Sequence, residues 1–181
     1  MILQYKKNKP NVKDLFKKNA SDIGWDVYAY SMRVVGELIE GTDLYANIDW
    51  IEYNLELSIQ PQPEFINERG DTQKYFTYLA PRSSIREKNL VMCNSQGIID
   101  FGFRENILAC FKYCPAPKDY VFLEPEKSPY FGLRIDQSKI YQIGERCAQL
   151  IVTTQPMVTL QEVTELAATD RVGGHGSTGR T

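Results

Sequence analysis

Hydrophobic and polar residues alternate along residues 53–60, which read YNLELSIQ. The two leucines and the isoleucine fall on one face of such a segment, and Glu56 and Ser58 fall on the other. This period of two is typical of a half-buried β-strand. It places Glu56 on the polar face of the predicted strand.

Three further short runs are rich in β-branched and aromatic residues and have glycine, proline, asparagine or aspartate near their ends. They are NILACFKY at 106–113, KIYQIG at 139–144 and CAQLIVTT at 147–154. Two stretches, VKDLFKK at 12–18 and LQEVTELAA at 160–168, have the spacing of short helices, although neither is long enough to organise a fold. The pattern predicts an all-β domain, mostly antiparallel, with the form of a barrel or jelly roll.

The composition is that of a soluble globular domain. The chain has 181 residues, of which 43% are hydrophobic and 24% charged, with a formal net charge of −2. This charge does not attract a polyanion, so nucleic acid is not expected as the main ligand. No apolar stretch approaches the ~20 residues that span a bilayer, and the first ten residues lack the apolar core of a signal peptide, so no membrane association is expected.

The cysteines indicate a reducing compartment. The chain has four cysteines without a Cys-x-x-Cys pair and only one histidine, so a structural zinc site is not expected. Free thiols are typical of cytoplasmic proteins, and we expect the cytoplasm of a cell or of an infected host. The cysteines are Cys93, Cys110, Cys114 and Cys147.

The chain is expected to form one β-barrel domain over residues 1–168, followed by a flexible glycine-rich arm over 169–181. The arm has no large apolar residue except Val172, so little anchors it. Within the domain, residues 114–140 are rich in proline and aromatic residues and are predicted to form an insertion that leaves the sheet. The aromatic residues of this insertion either pack onto the barrel or form a partner surface.

The residues that could carry chemistry are carboxylates, arginines, hydroxyl groups and backbone amides. A Ser-His-Asp arrangement is excluded because His175, the only histidine, lies in the predicted arm. The remaining set suits attack of water on a phosphate ester, in which positioning and charge neutralisation supply most of the rate.

Two segments carry candidate groups for this chemistry. APRSSI at 80–85 sets Arg82 beside two hydroxyl groups, a compact set of donors for anionic oxygen atoms, although a plain surface turn is the alternative. NSQGIIDFGF at 94–103 has turn formers around an apolar pair, then Asp100 and an aromatic residue. A hairpin that holds this carboxylate beside apolar walls suits a general base for water, and a strand-end aspartate is the alternative.

Two more segments place polar side chains among apolar residues. ERCAQLIV at 145–152 contains Arg146 and Gln149, for which a salt-bridged arginine and an edge glutamine are the structural alternative. SDIGWDVYA at 21–29 sets Asp26 between large apolar residues, where an unpaired charge is costly. Asp26 therefore needs a partner, which is either a structural group or a hydrated metal ion.

Taken in chain order, these segments resemble the five sequence motifs of the trimeric dUTPases. IGWDVYA keeps the glycine, aspartate and alanine of the first motif, PRSSI is similar to the second, and NSQGIIDFGF is similar to the third. RCAQL is similar to the Arg-x-x-Gln of the fourth motif, and RVGGHGSTG at 171–179 is similar to the glycine-rich fifth. The five partial matches together are far more specific than any one of them.

The resemblance implies a jelly-roll-like subunit in a homotrimer, with active sites at the subunit interfaces. The implied reaction is hydrolysis of dUTP to dUMP and pyrophosphate, with Mg²⁺ on the triphosphate. Asp100 would deprotonate the water that attacks the α-phosphorus, and Asp26 would contact the water shell of the metal. Gln149 would reach the phosphates from a different subunit than Arg82 and Ser83 do. The implied phosphate-binding residues are Arg82, Ser83, Ser84, Gln149, Arg171, Ser177 and Thr178, and the implied nucleoside-binding residues are Asn94, Gly97, Ile98, Ile99, Phe103 and His175.

The sequence departs from the family pattern at two aromatic positions. Phe103 replaces the tyrosine that packs against the deoxyribose, and His175 replaces the aromatic residue that lies over the uracil ring. Two alternatives stay open. A dCTP deaminase shares this fold and the Ile-Asp pattern, but it needs a glutamate near Cys110, where the sequence has none. The other alternative is a dUTP-binding regulatory protein that uses the 114–140 insertion to bind a protein partner.

Overall fold

The structure is a computed structural model that describes residues 2–62, 64–66, 69–70, 72–124, 130–156 and 158–168. All strand pairs are antiparallel, which confirms the predicted all-β class. The strands are β1 Leu3–Lys7, β2 Trp25–Tyr28, β3 Ser31–Leu38, β4 Tyr45–Asn54, β5 Leu57–Pro61, β6 Phe65–Ile66, β7 Thr72–Pro81, β8 Leu90–Met92, β9 Gly97–Ile99, β10 Leu108–Tyr113, β11 Tyr120–Leu123, β12 Tyr130–Leu133 and β13 Arg146–Gln155. Short 3-10 helices span Ser83–Glu87, Pro117–Asp119 and Gln137–Lys139.

The strands form two large curled sheets and one small one. The six-stranded sheet has the order β11-β12-β4-β10-β8, with β3 also paired to β4. The five-stranded sheet has the order β2-β13-β7-β6, with β9 also paired to β7, and β1 pairs with β5. Side chains of both large sheets meet in a single hydrophobic core, so the arrangement is jelly-roll-like.

The centre of this core is aromatic. The rings of Tyr53, Phe111 and Tyr141 lie 5.7 to 6.1 Å apart between centroids, mainly in edge-to-face orientations. The hydroxyl group of Tyr53 accepts a 3.1 Å hydrogen bond from the backbone nitrogen of Tyr141. This bond ties the loop before β13 to the C-terminal end of β4.

Residues 53–60 do not form one strand, as the alternation predicted, but the end of β4 and the start of β5. Glu56 lies between them with φ of +50°, in the left-handed region, and its side chain is buried rather than on an exposed face. Leu55, Leu57 and Ile59 are all buried as predicted. The period of two identified the core residues correctly but could not reveal the break.

Three other secondary-structure predictions were wrong. Residues 12–18 form no helix, because Phe16 makes an isolated β-bridge to Asp26 instead. Residues 160–168 also form no helix, and Leu160 and Leu166 are 92% and 88% exposed, so no apolar surface of the described chain covers them. In the segment 139–144, Lys139 ends a 3-10 helix and residues 140–144 are irregular rather than a strand, although Ile140 is fully buried.

The described part of the 114–140 insertion is a hairpin added to the edge of the six-stranded sheet. Strands β11 and β12 pair with each other, and Leu133 of β12 pairs with Tyr45 of β4. The hydroxyl group of Tyr113 donates a 2.7 Å hydrogen bond to the buried Asp119, which anchors the base of the hairpin. Its four aromatic side chains are 42–60% exposed, so they are not buried against the barrel. The exposed residues are Tyr120, Phe122, Tyr130 and Phe131.

All four cysteines are free thiols, as predicted. Burial raises the pKa of the Cys147 thiol to about 12, so it stays protonated and acts as a small apolar group. Within the described ranges, none of the helices has the length and apolarity needed to cross a membrane.

Candidate functional site

Asp26 lies at the centre of three neighbouring strands. In the five-stranded sheet, β13 lies between β2 and β7, so Gln149 pairs with Asp26 on one side and with Ala80 on the other. The chain leaves β7 at Pro81 and continues directly into Arg82. The register of three strands therefore gathers residues that are up to 123 positions apart in the sequence.

The carboxylate of Asp26 binds two guanidinium groups and one amide. Arg82 donates from Nε to Oδ1 at 2.8 Å and from Nη2 to Oδ2 at 3.3 Å. Arg146 donates from Nη1 to Oδ2 at 2.9 Å, and Gln149 donates from Nε2 to Oδ1 at 3.2 Å. These four residues are called the Asp26 cluster below. Asp26 as a whole residue is only 6% exposed, so the two cations neutralise a charge that could not otherwise be buried.

The cluster leaves Arg82 few free donors. Nη1 of Arg82 donates to Oγ of Ser84 at 3.1 Å and to the backbone oxygen of Arg146 at 3.4 Å. A guanidinium group has five N–H bonds, so about one remains for a ligand. The neighbouring Ser83 is exposed, and its hydroxyl group is therefore the accessible donor of this turn.

The surroundings of Asp26 do not fit a metal ligand. Both carboxylate oxygens already accept hydrogen bonds from cationic or amide donors, and two positive charges within 3 Å oppose a third. Among the described residues, no three histidine, cysteine, aspartate or glutamate side chains come together as a metal centre. Of the two partners predicted for Asp26, the structure provides the structural one. The contact of Asp26 with the water shell of Mg²⁺ stays a prediction.

The second group of predicted residues lines a cavity of about 220 Å³ beside β7. Strand β9 pairs with β7 through Leu79 and Gly97, and the backbone nitrogen of Phe103 donates a 2.9 Å hydrogen bond to the oxygen of Asp100. Within 94–103 the structure thus has one strand, paired with β7, and a turn at 100–103, and not the two-stranded hairpin that the sequence predicted. The cavity beside this strand and turn is called the hairpin cavity below. The side chains and backbone that line this hairpin cavity belong to Leu79, Asn94, Gly97, Ile98, Ile99, Asp100, Phe103, Asn106, Ile107 and Leu108.

Asp100 is the only acidic residue among those that line the hairpin cavity. It is exposed, directly after β9, while Ile99 beside it is buried. Phe103 is 40% exposed at the rim of the cavity. The cavity therefore combines apolar walls with one accessible carboxylate, the arrangement that a general base for water needs.

The two groups of residues do not overlap within the described chain. The Asp26 cluster and the residues that line the hairpin cavity have no member in common. Within one chain, Arg82 and Gln149 both bind the carboxylate of Asp26, although the resemblance assigns them to different subunits. Which subunit's copy of each residue reaches a ligand stays a prediction.

Arg146 was named with a salt-bridged arginine as the structural alternative, and the structure shows that salt bridge, to Asp26 at 2.9 Å. The sequence signal was available, because an arginine in a buried apolar run needs a negative partner, and Asp26 needs a positive one. The pairing could not be read without the register between β2 and β13. Four predicted site residues, Arg171, His175, Ser177 and Thr178, lie outside the described residues.

A scan against models of known protein families gives no match, and a search of curated proteins also gives none. Solved structures do match. The Staphylococcus bacteriophage 80alpha dUTPase with dUPNHPP has a TM-score of 0.65 and 21% identity over 98% of each chain. The dUTPase from phage phi11 of S. aureus, in which a species-specific insert is visualised, has a TM-score of 0.59 and 16% identity over 93% of this chain and 100% of that one.

A phi11 dUTPase mutant, described with a structural Mg(II) ion, has a TM-score of 0.58 and 16% identity over 91% of this chain and 98% of that one. The chain therefore has the fold of these dUTPases over nearly its whole length. The fold agrees with the motif resemblance, which rests on different information.

Proposed function

We propose that this chain is a dUTPase that hydrolyses dUTP to dUMP and pyrophosphate. The observation that carries the proposal is the hairpin cavity, in which Asp100 is the one acidic residue beside apolar walls and backbone groups. The five motifs in family order and the fold of phage dUTPases support it. Water held by Asp100 attacks the α-phosphorus, and the carboxylate accepts its proton.

The hairpin reads the base through fixed backbone groups. Uracil presents an acceptor, a donor and an acceptor along one edge, which backbone N–H and C=O groups can match while cytosine cannot. Gly97 lies close enough to Asn94 that a Cβ atom there would be 3.3 Å from Nδ2 of Asn94. Ile98 and Ile99 form the apolar wall of the same strand.

The phosphate groups bind at the Asp26 cluster and the turn after β7. Ser83, Ser84 and Gln149 offer neutral donors, and Arg82 adds positive charge and its remaining N–H bond. Asp26 organises this surface rather than touching the ligand. The motif alone assigns Arg171, Ser177 and Thr178 to the phosphates and His175 to the base, on a 169–181 arm that closes over the site.

Magnesium enters with the substrate in this proposal. Both carboxylate oxygens of Asp26 already accept hydrogen bonds from arginines, so the ligands of Mg²⁺ in this proposal are oxygen atoms of the triphosphate. When bound there, Mg²⁺ would neutralise the charge of the triphosphate. The residues of this chain then orient the triphosphate and hold the water and its proton.

The active protein is proposed to be a homotrimer with its sites between subunits, in the cytoplasm of a cell or an infected host. The Asp26 cluster and the hairpin cavity share no residue within the chain, which suits a site assembled from two copies. The exposed Leu160 and Leu166 also suit a segment that a neighbouring subunit covers.

The test is product release from four nucleotides in the presence of Mg²⁺. We expect pyrophosphate from dUTP, much less from dTTP and UTP, and no ammonia from dCTP. The absence of a second carboxylate among the residues of the hairpin cavity argues against the deaminase. Ammonia from dCTP would overturn the proposal in favour of that alternative.

The role of Asp100 is tested by Asp100→Asn. The amide cannot accept the proton of water, so turnover should fall on the order of a hundredfold or more while binding of a non-hydrolysable dUTP analogue is retained. The matched control is Glu40→Gln, which changes an exposed carboxylate in the turn between β3 and β4. Near-normal turnover of Asp100→Asn would show that Asp100 is not the base.

A second function is favoured by one specific observation, the exposed aromatic hairpin β11–β12. The rings of Phe122 and Phe131 lie 5.2 Å apart at their centroids, and both side chains are more than half exposed. The 80alpha dUTPase is described as controlling transfer of virulence genes. We propose that this hairpin binds a protein partner in a nucleotide-dependent manner, and that Phe122→Ser/Phe131→Ser abolishes co-purification of that partner without changing dUTP turnover.

A further inference from the structure

Glu56 has an unfavourable backbone conformation for its residue type. Its φ of +50° lies in the left-handed region, where glycine, asparagine and aspartate are the usual residues and glutamate is uncommon. Its side chain is only 8% exposed, so a carboxylate has also been withdrawn from water. Two costs at one residue indicate that the side chain serves a purpose that glycine could not.

The carboxylate of Glu56 is held by two side-chain amides. Oε1 accepts a 3.1 Å hydrogen bond from Nδ2 of Asn54, and Oε2 accepts a 2.9 Å bond from Nδ2 of Asn106. Within the described chain, the ion pairs formed by lysine and arginine do not involve Glu56. The interaction therefore depends on amide geometry and not on charge pairing.

Asn106 is fixed at both ends of its amide. Its Nδ2 donates to Glu56, and its Oδ1 accepts from Nδ2 of Asn8, which also donates to Ser58 at 2.7 Å. A carboxylate can only accept, so Glu56 dictates which end of the Asn106 amide faces it. This matters because Asn106 also lines the hairpin cavity with Asp100 and Phe103.

Backbone hydrogen bonds bring the same two segments together. The nitrogen of Leu55 donates to the oxygen of Ile107 at 3.1 Å, and the nitrogen of Ile107 donates to the oxygen of Leu57 at 2.9 Å. Ile107 is therefore bound on both sides of Glu56. Since Ile107 also lines the cavity, the Glu56 turn supports the chain that leaves the hairpin, opposite the side supported by β7.

We propose that Glu56 is a positioning residue for the nucleoside-binding hairpin, acting through Asn106. It sets the orientation of the Asn106 amide and the place of residues 106–108, and thereby the shape of the cavity that receives the nucleoside. The inference rests on the proposed function for the identity of the ligand. It assigns to Glu56, an unremarkable polar-face residue by sequence, a specific part in substrate affinity.

The test compares KM and kcat for dUTP, the Kd of a non-hydrolysable dUTP analogue and the thermal midpoint across matched variants. Glu56→Gln presents an NH₂ group to one of the two amide donors, and Asn106→Asp sets a carboxylate against a carboxylate. Each should raise KM and Kd about tenfold, with kcat within about twofold of wild type. Glu40→Gln should change none of these quantities.

The combination Glu56→Gln/Asn106→Asp provides the rescue. In this pair Nε2 of Gln would donate to Asp, Oε1 of Gln would still accept from Asn54, and Asn8 would still donate to residue 106. Every donor and acceptor is satisfied again with the roles exchanged, so KM and Kd should return to within about threefold of wild type. Rescue would support the proposal, and a double variant as poor as the worse single variant would overturn it.

Glu56→Gly separates positioning from folding. Glycine relieves the positive φ but removes both hydrogen bonds, so the thermal midpoint should stay near that of wild type while KM and Kd still rise about tenfold. A KM equal to that of Glu40→Gln would overturn the proposal. If wild type released no pyrophosphate, the proposed function would fail instead, and the Kd values for the analogue would still decide the role of Glu56.

Discussion

Arg82 binds Asp26 through two nitrogen atoms, with Nε 2.8 Å from Oδ1 and Nη2 3.3 Å from Oδ2. The side chain of Asp26 is 9% exposed and that of Arg82 is 21% exposed, so this pair is shielded from solvent screening. The pair links β2 to the turn after β7, and Arg82 also donates a hydrogen bond to the hydroxyl group of Ser84 in that turn. The turn that is proposed to hold phosphate is thus ordered before any ligand arrives.

The first prediction concerns removal of this charge. Asp26→Asn leaves two guanidinium groups without a negative partner, and we expect the free energy of unfolding to fall by about 3 kcal/mol. Phosphate affinity should fall as well, because the Ser84 turn loses its support. Urea unfolding monitored by fluorescence gives the first quantity, and binding of inorganic pyrophosphate gives the second.

Asp43→Asn is the control for this prediction. Asp43 also accepts two bonds from one arginine, Arg134, at 3.3 and 3.4 Å, but the side chains are 72% and 55% exposed. An exposed pair of this kind contributes below about 1 kcal/mol. Equal losses for Asp26→Asn and Asp43→Asn would show that burial of the Asp26 cluster has no energetic consequence.

The core and the fold class followed from the sequence, because burial and strand pairing both depend on local alternation. Leu55, Leu57 and Ile59 were placed in the core correctly even though the strand that should carry them is broken at Glu56. The break could not be seen, since a glutamate gives no sign of a left-handed backbone. The predicted helix at 12–18 failed for a similar reason, because Phe16 pairs with Asp26, a partner that local spacing does not reveal.

The sequence predicted which individual residues need a partner, but it did not predict which of them contact each other. Asp26 was expected to need a partner, and Arg146 was expected to be salt-bridged, yet neither expectation identified the other residue. Their contact at 2.9 Å depends on the register of β2 and β13, which contains a shift between Arg146 and Ala148. A register shift changes which side chains meet, and it leaves no trace in the hydrophobic pattern.

The second prediction concerns discrimination against ribose. Phe103 lines the hairpin cavity with an apolar ring, and an apolar wall rejects an added hydroxyl group by about a hundredfold at most. Phe103→Tyr introduces a group that can hydrogen-bond, and we expect the ratio of kcat/KM for dUTP over UTP to rise about tenfold. Phe101→Tyr is the control, since Phe101 is similarly exposed but does not line the cavity. An unchanged ratio for Phe103→Tyr would mean that this ring does not meet the sugar.

The third prediction concerns stability at low pH near the insertion. Hydrogen bonds from Lys118 and Ser138 lower the pKa of Asp136 to about 2. The unfolded chain has an aspartate pKa of about 3.9, so the stabilisation is present above that pH and is lost as the pH falls toward 2. The thermal midpoint of Asp136→Asn should lie below that of wild type at pH 6, and the difference should vanish near pH 2.

Asp49→Asn, which changes an exposed aspartate on β4, is the matched control for the pH series. Subtracting its midpoints removes the general effect of acid on the protein. A difference between wild type and Asp136→Asn that stayed constant from pH 6 to pH 2 would show that the negative charge of Asp136 does not contribute to the stability of the folded state.

The fourth prediction concerns assembly of the site from two subunits. Asp100→Asn damages the hairpin cavity and Gln149→Ala damages the Asp26 cluster, so each homotrimer should be nearly inactive. If each site takes one group from one subunit and the other group from its neighbour, refolding the two variants together restores intact sites. Random assortment makes about one quarter of the sites intact, so about one quarter of wild-type turnover should return. Light scattering should give a mass close to three chains of 20.8 kDa.

Asn94→Ala is the control for the mixing experiment. It damages the same cavity as Asp100→Asn, so mixing those two variants should restore no more than the activity of the better one. Lack of recovery in both mixtures would place the complete site within one chain and contradict the proposed interface.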